Sequence, residues 1–180
     1  LINNNHEIVL LGIGNEIEKN AFKELDSNFY KLSIDGFRGQ NVFKKLKVFF
    51  QILISIFKVF KIINKEKIDA MVGFGGFICI PAGIAIWIKR IPIFIHEQNA
   101  VMGSANKFLS KIAKINFLGF PIEKIDRSII SGNPIRESFI NNIDNTKRVQ
   151  NEIRIYVTGG SQGANFINQQ IPIALKELSF

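Results

Sequence analysis

Four consecutive polar residues stand at the end of an apolar run, where a substrate could be bound. The run IPIFI is followed by His96, Glu97, Gln98 and Asn99, and open α/β sheets bind ligands at the carboxyl ends of their strands. His96 and Glu97 could act as an acid–base pair, but neighbours on a strand point to opposite faces, and a single histidine is more often a structural hydrogen-bonding group. Asn99 suits substrate binding better, because a neutral amide both donates and accepts hydrogen bonds.

Two glycine-containing turns could hold an anion. One contains Gly73, Gly75 and Gly76, and the other places Ser161 among three glycines at 158–164. Each turn lies between a strand-like and a helix-like run, so backbone N–H groups and the positive end of a helix could meet a phosphate. Glycine also occurs in such turns for purely steric reasons. Neither turn has the dinucleotide fingerprint or the Walker lysine pattern, which disfavours a nicotinamide dehydrogenase and a P-loop nucleotidase.

The stretch SGNPIRESF at 131–139 predicts a turn followed by the start of a helix. Pro134 suits a first helical turn, which places Arg136 where its guanidinium could bind a phosphate or a carboxylate. The alternative is an ordinary solvated loop arginine.

The stretch from 43 to 64 predicts a long helix with one narrow polar side. Its polar residues recur at every third or fourth position, and the same spacing extends just past the predicted helix end to Lys65. They are Lys44, Lys47, Gln51, Ser55, Lys58, Lys61 and Lys65. Phe50 and Phe57 belong to the broad apolar side, which is larger than one sheet face can cover. The remaining apolar flank either packs on neighbouring helices or, with the lysines, binds a lipid headgroup region.

Short apolar runs alternate with helix-like stretches along the chain. Strands are predicted at 7–12, 69–75, 91–96 and 153–160, and helices at 16–25, 43–64, 81–89, 103–113 and 163–178. This alternation is typical of an α/β doubly wound sheet. The polar segment 141–152 lacks apolar periodicity and predicts a linker between two domains.

Composition narrows the class of protein. The net charge of +8 favours anionic partners. A single cysteine, Cys79, excludes an internal disulfide and a multi-cysteine metal site. No carboxylate cluster suits a metal, and no cofactor is expected. Nucleic acid is a disfavoured partner because the charge comes without a known binding motif.

Five motifs, taken in order, resemble the MurG family of bacterial glycosyltransferases: GFRG, GFGGFICIPAG, HEQN, GNPIR and GGSQGA. The resemblance implies a GT-B architecture, in which two Rossmann-like domains face each other across a cleft. It implies an inverting transfer of N-acetylglucosamine (GlcNAc) from UDP-GlcNAc to undecaprenyl-pyrophosphoryl-MurNAc-pentapeptide (lipid I), which makes lipid II for peptidoglycan. It also implies a peripheral protein on the cytoplasmic face of the inner membrane.

The same resemblance assigns roles to particular residues. The residues that match the family's UDP-GlcNAc-binding positions are Asn99, Arg136 and Ser161. The residues that match the family's loop for the acceptor pyrophosphate are Gly73, Gly75 and Gly76. This loop departs from the family pattern at Phe77, Cys79 and Ile80. Those expected to contact the anionic membrane surface are Lys44, Lys47, Phe50, Phe57 and Lys58.

The resemblance further predicts an incomplete copy of the enzyme. The family's first glycine loop, G-G-T-G-G-H, carries its leading candidate for the general base and has no counterpart here, so the catalytic residue is unknown. The expected domains are an acceptor and membrane-side domain at 1–140, the linker, and the start of a UDP-sugar domain at 153–180. We expect the chain alone to be inactive. The alternative is a non-catalytic half that anchors at the membrane and recruits a separate donor-binding subunit.

Overall fold

The computed structural model describes residues 6–23, 25, 27–34, 42–135, 155, 157 and 164–177. The chain divides into two compact units, Leu1–Ile135 and Arg136–Phe180. The sequence placed the end of the first domain at residue 140.

The described strands of the first unit all pair in parallel. Its elements in chain order are β1 (Val9–Gly12), α1 (Glu16–Phe22), β2 (Asn28–Lys31), α2 (Val42–Glu66), β3 (Met71–Gly73), α3 (Cys79–Ile88), β4 (Ile93–Glu97), α4 (Ser104–Leu109), β5 (Ile115–Leu118) and β6 (Ser128–Ile130). β1 pairs with β2, and the other four form a sheet of order β3-β4-β5-β6. Parallel strands alternating with helices confirm the predicted α/β class.

Three short strands, β2, β5 and β6, were not predicted from the sequence. Strand β5 carries the fully buried Asn116 in its middle, which interrupts the apolar pattern. All three residues of β6 are exposed. Pairing with neighbouring strands, which the sequence does not show, defines these elements.

The core of the first unit lies between one face of the four-stranded sheet and the helices beside it. Ile93 and Ile95 of β4 belong to one buried cluster with Ala85 of α3 and Leu109 of α4. Gly83 of α3 lies so close to α4 that an added Cβ would come within 2.4 Å of Leu109 Cδ2. This close crossing holds α4 beside the carboxyl end of β4.

Helix α2 buries a narrow strip and exposes an apolar flank. The buried residues are Val48, Ser55, Val59 and Ile63. Ser55, which the sequence assigns to the polar side of the helix, is 3% exposed, because its helical spacing also aligns it with the buried valines. The exposed apolar flank consists of Phe49, Phe50, Leu53, Ile54 and Phe57.

The end of α2 is tied to β2 through Glu66. The Glu66 carboxylate accepts hydrogen bonds from Asn28 Nδ2 at 3.0 Å and from the Tyr30 hydroxyl at 2.5 Å. Lys65 donates to the same hydroxyl at 2.7 Å. These contacts connect the β1–β2 pair to a helix whose other residues enter the core.

The second unit contains one described helix, α5 (Asn165–Glu177), within the predicted range 163–178. Pro172 lies inside α5, and none of the helix residues is buried. The predicted linker at 141–152 lies outside the described residues. So does the predicted strand at 153–160, except for Ile155 and Val157, which are exposed.

Candidate functional site

A cavity of about 290 Å³ opens at the carboxyl ends of β3 and β4. Residues of three segments line it, at 74–77, 97–99 and 103–106. Two motifs singled out in the sequence, the first glycine turn and the polar cluster after β4, therefore share one space. They meet because parallel neighbouring strands end at the same edge of the sheet.

The glycine turn presents two different sides. Gly75 and Gly76 have φ angles of +92° and +80°, a region that favours glycine. A Cβ at Gly75 would lie 3.4 Å from the Asn106 side chain, whereas a Cβ at Gly76 would meet nothing within 4 Å. Gly73 is buried in β3, where a Cβ would come within 3.1 Å of Ile95 Cδ1. Gly73 thus serves packing, and Gly75 and Gly76 line the cavity.

The thiol of Cys79 supports this turn. Its Sγ–H donates to the carbonyl oxygen of Gly75 at 2.8 Å. Burial raises the pKa of the Cys79 thiol, so the group stays protonated and keeps its donor. The cysteine that departs from the family pattern therefore supports the glycine turn.

Glu97 is the buried charge at the cavity wall. Its Oε1 accepts hydrogen bonds from the backbone N–H of Asn99 at 3.1 Å and the Asn99 side-chain amide at 2.9 Å. Its Oε2 accepts from the Gly103 N–H at 3.0 Å and from Asn106 Nδ2 at 2.9 Å. Burial acts to raise the pKa of Glu97, but the four donors outweigh burial and the pKa lies below its usual range. Glu97 is thus an ionised carboxylate with its acceptor positions filled, which is unsuited to take a proton.

The side-chain amide of Asn106 is hydrogen-bonded through its nitrogen but not through its oxygen. Its Nδ2 donates to Glu97 Oε2 and, at 3.3 Å, to the carbonyl oxygen of His96. Both partners are acceptors, which fixes the amide orientation. The Oδ1 atom is buried and has no hydrogen-bond partner among the described residues. Asn106 is 1% exposed, so this acceptor has little access to bulk water.

His96 points away from Glu97 and makes structural hydrogen bonds. Its Nε2 lies 3.0 Å from the carbonyl oxygen of Gly132, and its Nδ1 lies 3.1 Å from Gln98 Nε2. Gln98 Nε2 also donates to the His96 carbonyl at 3.2 Å. Because a carbonyl only accepts, His96 carries its hydrogen on Nε2 and accepts from Gln98 on Nδ1. This geometry favours the structural role over the acid–base pair.

The turn at 131–134 is fastened to the polar cluster. Asn133 Nδ2 donates to the carbonyl oxygen of Gln98 at 3.1 Å. Gly119 allows this approach, because a Cβ there would lie 2.1 Å from Asn133 Oδ1. The chain therefore leaves the first unit from a turn fixed beside the cavity.

Some of the predicted site residues lie within the described part of the chain. The cavity wall contains Asn99, Gly75 and Gly76. The solvent-exposed surface of α2 contains Lys47, Phe50, Phe57 and Lys58. Outside the described residues lie Arg136, Ser161 and the Lys44 side chain.

Sequence reasoning missed Asn106 and Gly103, which line the cavity. They become part of the site only because α4 begins at Ser104 and brings them back to Glu97.

Within the described part of the chain, no group of three or more His, Cys, Asp or Glu side chains could hold a metal ion. The cavity segments also contain no lysine, arginine or histidine. The described lining consequently consists of amides, backbone groups, aromatic rings, Ser104 and one buried carboxylate.

A parallel α/β sheet with a glycine turn and an amide-rich cavity at its carboxyl edge defines a Rossmann-like ligand-binding domain. The model of the glycosyltransferase family 28 N-terminal domain matches residues 1–118. The chain belongs to this family.

The more specific resemblance is to bacterial proteins named UDP-N-acetylglucosamine–N-acetylmuramyl-(pentapeptide) pyrophosphoryl-undecaprenol N-acetylglucosamine transferase. The protein from Vibrio vulnificus is 40% identical over 177 residues, and that from Acinetobacter baumannii is 34% identical over 170 residues. These alignments cover 96% and 90% of this chain. The chain spans about half the length of these relatives, 49% and 47%.

A crystal structure of Acinetobacter baumannii MurG has the same fold. It superposes with a TM-score of 0.73 at 31% identity, over 99% of this chain and 51% of that chain. This similarity confirms the predicted GT-B type of N-terminal domain.

Proposed function

We propose that the full-length protein containing this chain transfers GlcNAc from UDP-GlcNAc to lipid I with inversion at the anomeric carbon. The observation that carries the proposal is the shared cavity of the glycine turn and the HEQN cluster, within a family 28 fold. Similarity to the Vibrio and Acinetobacter transferases over nearly the whole chain supports the choice of substrates.

The residue roles follow from the motifs. Asn99, Arg136 and Ser161 bind the UDP-GlcNAc donor. The glycine turn, through Gly75 and Gly76 and with Gly73 shaping its base, contacts the acceptor pyrophosphate. The hydrogen-bonded Glu97 holds Asn99 in place, so the base that activates the acceptor hydroxyl is another group.

A transfer assay on the full-length protein tests the proposal. Release of UDP should require both UDP-GlcNAc and a lipid I analogue, and Arg136→Ala or Ser161→Ala should raise the KM for UDP-GlcNAc. The matched controls are Arg127→Ala and Ser131→Ala, which alter exposed residues outside the cavity. Absence of transfer would contradict the proposal and favour the non-catalytic alternative. Transfer with equal kinetics in the site variants and their controls would contradict the donor-binding roles of Arg136 and Ser161.

We further propose that the exposed flank of α2 binds an anionic membrane surface. Phe50 and Phe57 are 55% and 67% exposed, and Lys47 and Lys58 lie on the same helix. Lys89 Nζ lies 5.9 Å from the ring centroid of Phe60, so the end of α3 contacts α2. Aromatic rings interleaved with lysines suit a headgroup region. Among the described residues no helix is long and apolar enough to cross a bilayer.

A further inference from the structure

We propose that Asn106 is a positioning residue for donor binding, which fixes the carboxylate of Glu97 and, through it, the side chain of Asn99. This role needs no contact between Asn106 and the substrate. The inference rests on the proposed role of Asn99 in binding UDP-GlcNAc and deepens it, because it names the buried group that keeps Asn99 in place.

The carboxylate of Glu97 fastens the loop at 98–103 at two points. Its Oε1 accepts hydrogen bonds from the backbone N–H and the side-chain amide of Asn99, at 3.1 and 2.9 Å. Its Oε2 accepts from the N–H of Gly103 at 3.0 Å. Because one carboxylate makes all three bonds, a rotation of its side chain would disturb Asn99 and Gly103 together.

The fourth donor to Glu97 is the one that does not belong to this loop. Asn106 Nδ2 donates to Oε2 at 2.9 Å from within α4. The three loop donors can move with the carboxylate, whereas Asn106 ties the carboxylate to the interior of the first unit. Hydrogen bonds to an ionised group are stronger than those between neutral groups, so this single bond is an effective anchor.

Glu97 also determines which end of the Asn99 amide is left for a ligand. A carboxylate only accepts hydrogen bonds, so the amide must turn its Nδ2 toward Glu97. The carbonyl oxygen Oδ1 is then directed away from Glu97, on a residue that is exposed. A change in the carboxylate would therefore change the hydrogen-bonding group that Asn99 offers to the donor substrate.

Asn106 is itself held in place from two sides. It is 1% exposed, and its Nδ2 also donates to the carbonyl oxygen of His96 at the end of β4, at 3.3 Å. Leu109, one turn further along α4, is fully buried where α4 crosses Gly83 of α3. Strand β4 and helix α3 thus fix α4 and the position of the Asn106 amide.

The glycine turn limits the remaining freedom of this amide. A Cβ at Gly75 would lie 3.4 Å from Asn106 Nδ2 and 3.7 Å from both Cγ and Oδ1. The space between the turn and the amide is therefore about that of one methyl group. A side chain confined in this way keeps its donor within hydrogen-bond distance of Glu97, and supporting groups of this kind preorganise a binding site.

The test is a double-mutant cycle in the full-length protein, read as the Kd for UDP-GlcNAc in titration calorimetry. Asn106→Leu removes the donor but keeps a side chain of similar size, and Asn99→Ala removes the amide that is positioned. Asn106→Leu alone should raise the Kd by about twofold to tenfold, and by no more than Asn99→Ala does. In the Asn99→Ala background it should have no further effect, because the residue through which it acts is absent.

Asn116→Leu is the matched control for a purely structural effect. Asn116 is fully buried, and its Nδ2 also makes two hydrogen bonds, to the carbonyl oxygens of Ser110 and Asp126. It does not line the cavity. Asn116→Leu should lower the free energy of unfolding but leave the Kd unchanged in both backgrounds. If Asn106→Leu does not fold, Asn106→Ala takes its place in the cycle.

An unchanged Kd in the Asn106 variant would overturn the inference. So would additive effects of the changes at 106 and 99, or an equal rise in Kd for Asn116→Leu. These outcomes leave the transferase proposal intact, because transfer is measured separately. Conversely, the expected cycle in a protein that binds UDP-GlcNAc but transfers no GlcNAc would overturn the proposed function alone, and failure of the unaltered protein to bind UDP-GlcNAc would overturn both.

Discussion

His96 Nε2 and the carbonyl oxygen of Gly132 lie 3.0 Å apart and join the polar cluster after β4 to the turn after β6. The bond spans β5, which lies between these strands in the sheet. It holds the turn at 131–134 against the end of β4. The histidine of the HEQN motif therefore has a positioning role that needs no proton transfer.

Replacement of His96 by glutamine should preserve this role better than replacement by asparagine. Glutamine can place its Nε2 near the original Nε2 position and reach Gly132, whereas asparagine is too short. We expect His96→Asn to lower the free energy of unfolding by about 1 kcal/mol more than His96→Gln. Chemical denaturation followed by Trp87 fluorescence measures this difference within the first unit.

The same pair of variants tests the acid–base alternative. A general acid or base contributes about 100-fold or more to the rate, and neither amide can replace it. Equal loss of that size in kcat for both variants of the full-length protein, without a difference in stability, would show that His96 is catalytic.

Asn99→Ala in the full-length protein should raise the KM for UDP-GlcNAc. The variant removes a neutral hydrogen-bonding amide from the cavity wall, which corresponds to a change of about twofold to tenfold. The control is Asn28→Ala, which removes the same kind of hydrogen bond between an amide and a carboxylate, here that of Glu66. Asn28 is the first residue of β2, whereas Asn99 follows the last residue of β4. A KM that changes equally in both variants would argue against a role for Asn99 in donor binding.

Glu97→Gln should destabilise the chain most at neutral pH. The folded state lowers the pKa of Glu97 from its usual 4.5, so the folded protein binds this proton less readily than the unfolded chain. The stabilisation by Glu97 is therefore fully present above pH 4.5 and is lost as the pH falls through the lower, folded pKa. We expect a deficit of about 2 kcal/mol at pH 7, which shrinks as the medium is acidified.

Urea unfolding of both proteins between neutral and acidic pH measures this deficit. Glu16→Gln is the control, because Glu16 forms an exposed ion pair with Lys19 at 2.8 Å and such pairs contribute about 0 to 1 kcal/mol. A deficit for Glu97→Gln that stays constant down to the most acidic condition would contradict the assignment of an ionised, hydrogen-bonded carboxylate.

The triple variant Lys44→Glu, Lys47→Glu and Lys58→Glu should lose binding to anionic vesicles. Each lysine near a negatively charged bilayer contributes about 1 kcal/mol, and charge reversal adds repulsion. Co-sedimentation with phosphatidylglycerol-containing vesicles, with phosphatidylcholine vesicles as the uncharged reference, measures the effect. Added salt should weaken binding of the unaltered chain.

The control has the same charge change on another surface, with Lys107, Lys111 and Lys114 replaced by glutamate. An apolar pair completes the design, because Phe57 and Ile135 are both 67% exposed but lie far apart in sequence. Phe57→Ser should weaken vesicle binding and Ile135→Ser should not. Equal effects in both sets would mean that general charge and apolarity, and not the α2 flank, determine membrane affinity.

Gly83→Ala should destabilise the first unit although alanine favours helices. The new Cβ would come within 2.4 Å of Leu109 Cδ2, and Leu109 is fully buried and cannot move aside. Overpacking of this kind costs about 1 to 3 kcal/mol. Gly103→Ala is the control, since its Cβ would lie at an ordinary 3.7 Å from Glu97. Equal unfolding midpoints for Gly83→Ala and the unaltered chain would show that α3 and α4 leave room for a Cβ at this crossing.

The sequence predicted the elements whose pattern is local and left out those defined by distant partners. Helix α2 and strand β4 have long apolar patterns, and both lie where the sequence places them. Strand β5 has a polar residue, Asn116, at its centre, and its identity depends on pairing with β4 and β6. Strand β6 is too short and too exposed to show a pattern.

The residues of the candidate site likewise fall into those that a local pattern indicates and those that only the fold brings together. Asn99 was visible because a run of four polar residues is unusual at a strand end, and the glycine turn was visible because its glycines lie between a strand-like and a helix-like run. Asn106 was not, because an asparagine inside a helix is unremarkable until α4 is known to return to Glu97. The burial of Ser55 in α2 was not visible, because a hydroxyl can be buried at a helix interface, and its type alone does not indicate this.

The wholly parallel pairing of both sheets has a consequence for how the first unit folds. A parallel pair cannot form from a short hairpin, so each pairing waits until the intervening chain has been brought back across the sheet. Loop-closure entropy is lost before the strand contacts compensate for it, which slows folding and leaves apolar surface exposed for longer. We therefore expect refolding of residues 6–135 to be slower than that of an antiparallel domain of the same size.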